Sequence, residues 1–116
     1  YKKYFNNKNL KINKPEINSK STYWMTTLSL KNFKLKKNFK EKLIYYCMKK
    51  NIHLRPFFYP LSSMPMYKSK IKKNKVSYSL SLNSVNLPSG YNLRLNDIKR
   101  ICKTIKTFLK KEKINL

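Results

Sequence analysis

A single glycine, a single histidine, two cysteines and four acidic residues in 116 positions set firm limits on what this chain does by itself. A phosphate-cradling loop needs several glycines, because the backbone there must approach the ligand closely and adopt torsions that side chains resist. One glycine excludes it. The cysteines, Cys47 and Cys102, form no C-x-x-C pair and have no neighbouring histidine, so neither a zinc site nor a redox dithiol is suggested; both fall in helical patterns, where buried reduced thiols are expected. The acids Glu16, Glu41, Asp97 and Glu112 are scattered through a connector and two lysine-rich helical patterns. No carboxylate pair for acid–base work is present. His53 stands alone beside Arg55 in a short strand pattern, either a lone base or an ordinary strand histidine. Apolar runs stay far below membrane-spanning length and no signal-peptide pattern is seen, so the expected location is the cytoplasm, with no membrane partner.

What is abundant is positive charge. The formal net charge is +24, and three of the 28 basic residues are arginine (Arg55, Arg94, Arg100), which leaves 25 lysines. Such an imbalance invites a polyanionic partner. Yet proteins that grip nucleic acid favour arginine for its bidentate geometry, and lysine accompanied by asparagine and isoleucine is the composition of an AT-rich coding sequence. No specific nucleic-acid partner is expected, and a basic RNA- or polyanion-binding module stands as the alternative function.

Along the chain, YKKYF at the start reads as the end of an amphipathic helix whose beginning is missing. Residues 6–22 surround Pro15 with polar and turn-forming residues and read as a connector. The alternation in YWMTTLSL (residues 23–30) predicts a half-buried strand with Trp24, Thr26, Leu28 and Leu30 on its apolar face. From Phe33 to Lys50, Leu35, Phe39, Leu43, Tyr46 and Cys47 recur at helical steps. Asn51 then suits the left-handed position that ends a helix. Residues 52–55 read as a short strand closed by Pro56, residues 68–75 as a basic loop, and residues 76–82 as a short helix or irregular stretch. VNLPSG (residues 85–90) reads as a turn. The last element is a helix, with Ile98, Ile101, Cys102, Ile105, Phe108 and Leu109 on one stripe, Asp97 near its start and lysines near its end, as the helix dipole favours. The order strand, helix, strand, loop, helix is an α/β pattern of one domain.

RPFFYPLSSMPMY (residues 55–67) departs from the rest, with three prolines, four aromatics and one cation. Each proline fixes its own torsion and steers the preceding residue away from helix, so the segment should be extended and stiff. Tyr23, Trp24, Phe57, Phe58 and Tyr59 are candidate base-stacking platforms. Lying in or beside strands, they are expected to be buried as core instead.

STYWM (21–25), NIHLRPFFYPLSSMPMY (51–67) and VNLPSGYNLRLNDIKRICKTIKTFL (85–109) together resemble, in order and spacing, the carboxy-terminal domain of the DegT/DnrJ/EryC1/StrS family, pyridoxal-phosphate-dependent aminotransferases of the perosamine synthetase type that act on nucleotide-linked keto sugars. The resemblance runs from Tyr1 to about Lys110. It implies a small α+β domain, a short and mainly antiparallel sheet covered by helices, over residues 23–112, with 1–22 as the end of an inter-domain helix and connector and 113–116 as a tail. It implies a homodimeric enzyme of sugar or polysaccharide biosynthesis that takes its amino group from glutamate. The Schiff-base lysine and the pyridoxal phosphate site are expected in a large domain preceding this one, so no catalytic residue is assigned here and the fragment alone is expected to be inactive. Arg55, Phe58, Tyr59 and, behind them, Tyr67 are the expected cleft-lining residues. The chain departs from the family pattern at Ser62, where histidine is usual, at Asn51, where glycine is usual, and at Arg94 to Asn96, where a threonine cap is usual; a lost cap weakens a helix by about 1 kcal/mol.

If the charge is solvated background, RNA binding follows from it without selectivity. Titration with RNA at low and physiological salt should show weak association that falls steeply with salt, whereas sequence-selective binding that survives physiological salt would support the polyanion module.

Overall fold

The computed structural model describes residues 1–5, 9–31, 38–67 and 74–114. Four strands, β1 (Leu10–Ile12), β2 (Thr26–Leu30), β3 (Arg55–Pro56) and β4 (Ser84–Leu87), form one sheet in the order β1-β2-β4-β3. Every pairing is antiparallel. Among the described residues three α-helices accompany it, α1 (Phe39–Met48), α2 (Lys75–Asn83) and α3 (Leu95–Lys111), which makes the fold α+β.

Register gives the sheet two unlike faces. Leu28 lies opposite Val85 and Ile12, and Leu30 opposite Leu10, so these residues share one face. They join Phe39, Leu43 and Cys47 of α1 and Ile101, Cys102, Ile105, Phe108 and Leu109 of α3 in a single buried cluster. Phe108 meets Phe39 and Tyr46 at ring-centroid distances of 5.5 and 5.2 Å. On the other face Thr27 lies opposite Asn86 and Ser29 opposite Ser84, and each pair is closed by a side-chain hydrogen bond, Thr27 Oγ1 to Asn86 Oδ1 at 2.8 Å and Ser84 Oγ to Ser29 Oγ at 2.9 Å. Hydroxyls and amides are tolerated in a covered position when they are paired in this way.

Several expectations need correction. VNLPSG is not wholly a turn: Ser84 to Leu87 form β4, which lies between β2 and β3 and is buried along its length. The connector 6–22 contains β1, with Leu10 and Ile12 in the core. Three residues are too few to show a period. Strand pairing in the third element begins at Arg55, not Ile52, and includes Pro56, which an edge strand accepts because its missing N–H faces away from the ladder. Residues 33–37 of the expected first helix, with Leu35, and residues 68–73 of the basic loop lie outside the described residues; the described part of that helix is α1.

The helix ends follow from backbone chemistry. Asn51 takes φ 53°, and the N–H groups of Asn51 and Ile52 close on the carbonyls of Met48 and Cys47, the left-handed stop read from the sequence. Arg100 of α3 reaches over to the same end, donating to the Lys50 carbonyl at 2.9 Å. At the start of α3 the Asp97 carboxylate accepts the Arg94 N–H at 3.0 Å. That bond supplies half of a capping box and makes up for part of the missing threonine. The first residues are pinned as well, by the Tyr1 hydroxyl donating to the Pro88 carbonyl at 2.8 Å. Burial, together with Cys102 and Asp97 nearby, holds that phenol well above its ordinary range.

Burial also pushes the Cys47 thiol from 9.0 up to about 11. The folded state therefore keeps a proton that the unfolded chain loses between those values, and stability contributed by this thiol is complete below pH 9 and lost as pH rises towards 11. The stability advantage of the wild type over Cys47→Ala, measured by urea unfolding, should be constant up to about pH 8 and shrink above pH 9. An advantage that grows with pH would contradict the assignment.

Candidate functional site

The proline-bounded strip leaves the sheet at its β3 edge. Arg55 opens the strand opposite Asn86, so it shares a face with the buried Thr27–Asn86 pair while itself remaining exposed. Pro56 follows, and the Phe57 N–H still reaches the Ser84 carbonyl at 3.4 Å before the chain turns away. Pro60 is buried and leads into two short 3₁₀ turns, Leu61–Ser63 and Pro65–Tyr67.

The aromatic residues here are not core, contrary to expectation. Trp24 is 73% exposed, Phe58 55% and Tyr59 61%, with Tyr23 also exposed and Phe57 half-buried. Strand parity places Trp24 with Leu28, but β2 begins only at Thr26 and Tyr23 before it adopts φ 52°. That left-handed residue breaks the alternation and releases the indole outward. Trp24 and Phe58 then stack, with centroids 6.5 Å apart and planes at 25°, and Phe57 meets Phe58 edge-on at 5.8 Å.

Tyr59 is held from behind. Lys40, in the first turn of α1, is buried, donates from Nζ to the Ser81 carbonyl at 3.0 Å, and lies 5.4 Å from the centre of the Tyr59 ring. One ammonium thus ties α1, the end of α2 and the strip together, and nothing in the sequence pattern marked this lysine out from the others. Ser62, at the usual histidine position, lies within 3.3 Å of the Tyr78 hydroxyl and accepts from Asn74 Nδ2 at 3.3 Å, joining the first 3₁₀ turn to α2. Tyr67 is exposed in the second turn, and among the described residues no ring contact or hydrogen bond joins it to Arg55, Phe58 or Tyr59. His53 is exposed between the buried Ile52 and Leu54. Among the described residues no group of three or more metal-binding side chains occurs, and no helix is long and apolar enough to cross a membrane.

The chain belongs to the DegT/DnrJ/EryC1/StrS aminotransferase family, whose model matches residues 1–106. It is 32% identical over 108 residues to the GDP-perosamine synthase of Escherichia coli O157:H7, covering 93% of this chain and 28% of that protein, and 30% identical over 102 residues to the GDP-perosamine synthase of Vibrio cholerae, covering 85% and 27%. The chain therefore spans less than a third of these relatives. Among solved structures, Helicobacter pylori PseC, an aminotransferase involved in the biosynthesis of pseudoaminic acid, superposes with a TM-score of 0.77 at 16% identity, over 95% of this chain and 30% of that one. The aminotransferase TlmJ from Streptoalloteichus hindustanus gives 0.76 at 11% identity, over 96% and 29%. At those identities the two structures speak for the fold.

The residues described do not fit a pyridoxal phosphate site. A lysine that carries the cofactor needs an apolar pocket or a neighbouring cation to lower its pKa. Lys40 is buried but spends its ammonium on Ser81 and Tyr59. Lys11 is lowered by contact with Lys31 and by its charge, yet it is fully exposed on an edge strand. Neither stands in an enclosed pocket with a carboxylate partner.

Because a buried ammonium is retained here for what it holds, its loss should act on the strip more than on global stability. Lys40→Met, which keeps the apolar stem, should leave the urea midpoint nearly unchanged and speed amide hydrogen exchange across residues 57–63 by roughly tenfold, about the worth of one cation–π contact plus one hydrogen bond. Unchanged exchange there would show that the strip does not depend on Lys40.

Proposed function

We propose that this chain is the small domain of a pyridoxal-phosphate-dependent aminotransferase that moves an amino group from glutamate onto a nucleotide-linked keto sugar, in cytoplasmic sugar or polysaccharide biosynthesis. The observation that carries the reading is the exposed, proline-stiffened strip running out of the β3 edge, in a family member that covers less than a third of its relatives. A rigid apolar wall loses little entropy when a ligand closes against it. Arg55 contributes a guanidinium suited to bidentate contact with a phosphate or carboxylate. Phe58 and Tyr59 offer ring surface to the sugar, with Tyr67 at the outer margin.

In this reading the chain binds, orients and excludes water. The cofactor, which supplies the reversible amino-group chemistry, is held by polypeptide beyond these 116 residues, in a large domain that the chain closes over, and the whole enzyme works as a homodimer. In this reading the small domain begins with the strand Leu10–Ile12, earlier than the connector pattern alone suggests.

A chimaera tests this directly. Replacing the matched part of the Escherichia coli GDP-perosamine synthase with residues 1–116 should retain amino transfer to that enzyme's keto-sugar substrate, while the 116-residue chain supplied with pyridoxal phosphate and glutamate should form no product. Arg55→Ala in the chimaera should lower kcat/KM by about 10- to 100-fold, the range expected when a charge-assisted contact to a ligand is lost. A folded, cofactor-loaded chimaera without activity, or one indifferent to Arg55→Ala, would refute the respective part of the proposal.

A further inference from the structure

The geometry points to a second binding element on the same surface: the paired faces of Trp24 and Phe58 form a stacking platform for a flat heterocycle, the nucleobase of a nucleotide ligand. This rests on the reading of the chain as part of a nucleotide-sugar enzyme and assigns the part of the ligand that the strip's other residues leave unaccounted for.

Three observations converge. The two rings stack on one another, 6.5 Å apart at 25°, which steadies each of them while more than half of each residue stays open to solvent. Secondly, Trp24 is held in place without being buried: its carbonyl accepts from Ser89 Oγ at 3.0 Å, and the next carbonyl, of Met25, accepts from Asn13 Nδ2 at 3.1 Å. An indole on so constrained a backbone has less freedom to lose when another ring settles on it. Thirdly, the residue that aims it is strained. Tyr23 at φ 52° is a bulky side chain in the left-handed region, kept there by its N–H donating to Ser21 Oγ at 3.1 Å and by Lys2, whose Nζ lies 3.4 Å from the Tyr23 hydroxyl and 5.3 Å from its ring centre. Backbone strain of this kind persists where surrounding contacts enforce it, and it gathers at ligand sites.

The chemistry selects the ligand class. A nucleobase presents a π-face to which indole and phenyl rings are complementary, and such stacking tolerates changes of base because every base has that face. Arg55, on the adjoining strip, supplies a cation for the ligand's phosphates, so base and charge would be read by different residues of one surface.

Trp24 is the sole tryptophan, so its fluorescence and indole N–H resonance report this surface alone. The 116-residue chain should be titrated with guanosine 5′-diphosphate, with inorganic diphosphate and with a hexose phosphate, in high salt to suppress the general effect of +24. Guanosine diphosphate should quench Trp24 and shift its indole signal, and the two base-free probes should not. Phe58→Leu, which keeps apolar surface but removes the ring, should weaken the response roughly tenfold, and Tyr45→Leu, at an exposed position on α1, should leave it unchanged. Equal responses to the base-free probes, no response at Trp24, or an unaltered response in Phe58→Leu would each overturn the platform. So would a ligand-free, concentration-dependent Trp24 shift that accompanies dimer formation in sedimentation, since the rings would then be covered by a second copy. An active chimaera with a silent Trp24 sinks the platform alone; an inactive chimaera with a responsive Trp24 sinks the aminotransferase reading and leaves the platform standing.

Discussion

The pairing of β2 with β4 is the constraint on which the rest of the molecule depends. Two segments more than fifty residues apart in sequence are brought together in one register, and that register decides what each face of the sheet is made of. Leucine and valine on one side give α1 and α3 something to pack on. Threonine, serine and asparagine on the other close on each other. A slip of one residue would turn Thr27 and Asn86 into the core and Leu28 and Val85 out of it, so the buried Thr27–Asn86 bond guards the register as well as satisfying two polar groups. Because β4 lies second from the edge, any loss of that register also removes the partner of β3 and, with it, the base of the aromatic strip.

The strip is thus a surface feature whose rigidity comes from below. Two proline-fixed torsions limit its local freedom, the ladder to β4 fixes its beginning, and Lys40 fixes Tyr59 from the side of α1 and α2. A stiff strip made in this way costs the fold exposed aromatic surface. Among the described residues sixteen large hydrophobic side chains are exposed to solvent, several of them on the strip and on α2. α2 shows why. Val76, Tyr78, Leu80 and Leu82 alternate with serine, a period of two placed on a helix of 3.6, so its apolar side chains spread around the axis and Ser81 is its one fully covered residue.

Legibility in the sequence followed the length and purity of each pattern. α3 was readable because its stripe continues over several turns, and all the residues assigned to that stripe are buried except Ile98, which is partly so. The Asn51 stop was readable because few residues accept the left-handed region. β1 and β4 were not, for a physical reason: a three- or four-residue strand presents at most two residues per face, and β4 sits beside Pro88, which speaks for a turn. The fold class came through the family resemblance more than through these short strands. At the site, the stiffness of residues 55–60 was evident from their prolines, but the outward placement of Trp24 was not, since it depends on one torsion at Tyr23 that strand alternation does not encode. Lys40 was invisible among 25 lysines because its role is set by where α1 begins relative to Ser81.

Those lysines pose the remaining physical question, how a chain at +24 tolerates its own charge with four acids to set against it. Carboxylates cannot do so by number. Tyrosine rings take part of the role: Lys2 lies over Tyr23, Lys40 over Tyr59, Lys49 over Tyr45, and both Lys50 and Lys111 over Tyr46, at 4.8 to 5.5 Å. Each such contact at an exposed site is worth about 0.5–1 kcal/mol, comparable to a surface ion pair, and unlike an ion pair it uses a side chain that also carries apolar area. Helix carbonyls take a further share, as Arg100 shows at the end of α1. Cations absorbed into rings and carbonyls in this way are engaged in the fold, whereas Arg55 stands exposed where the aromatic strip begins.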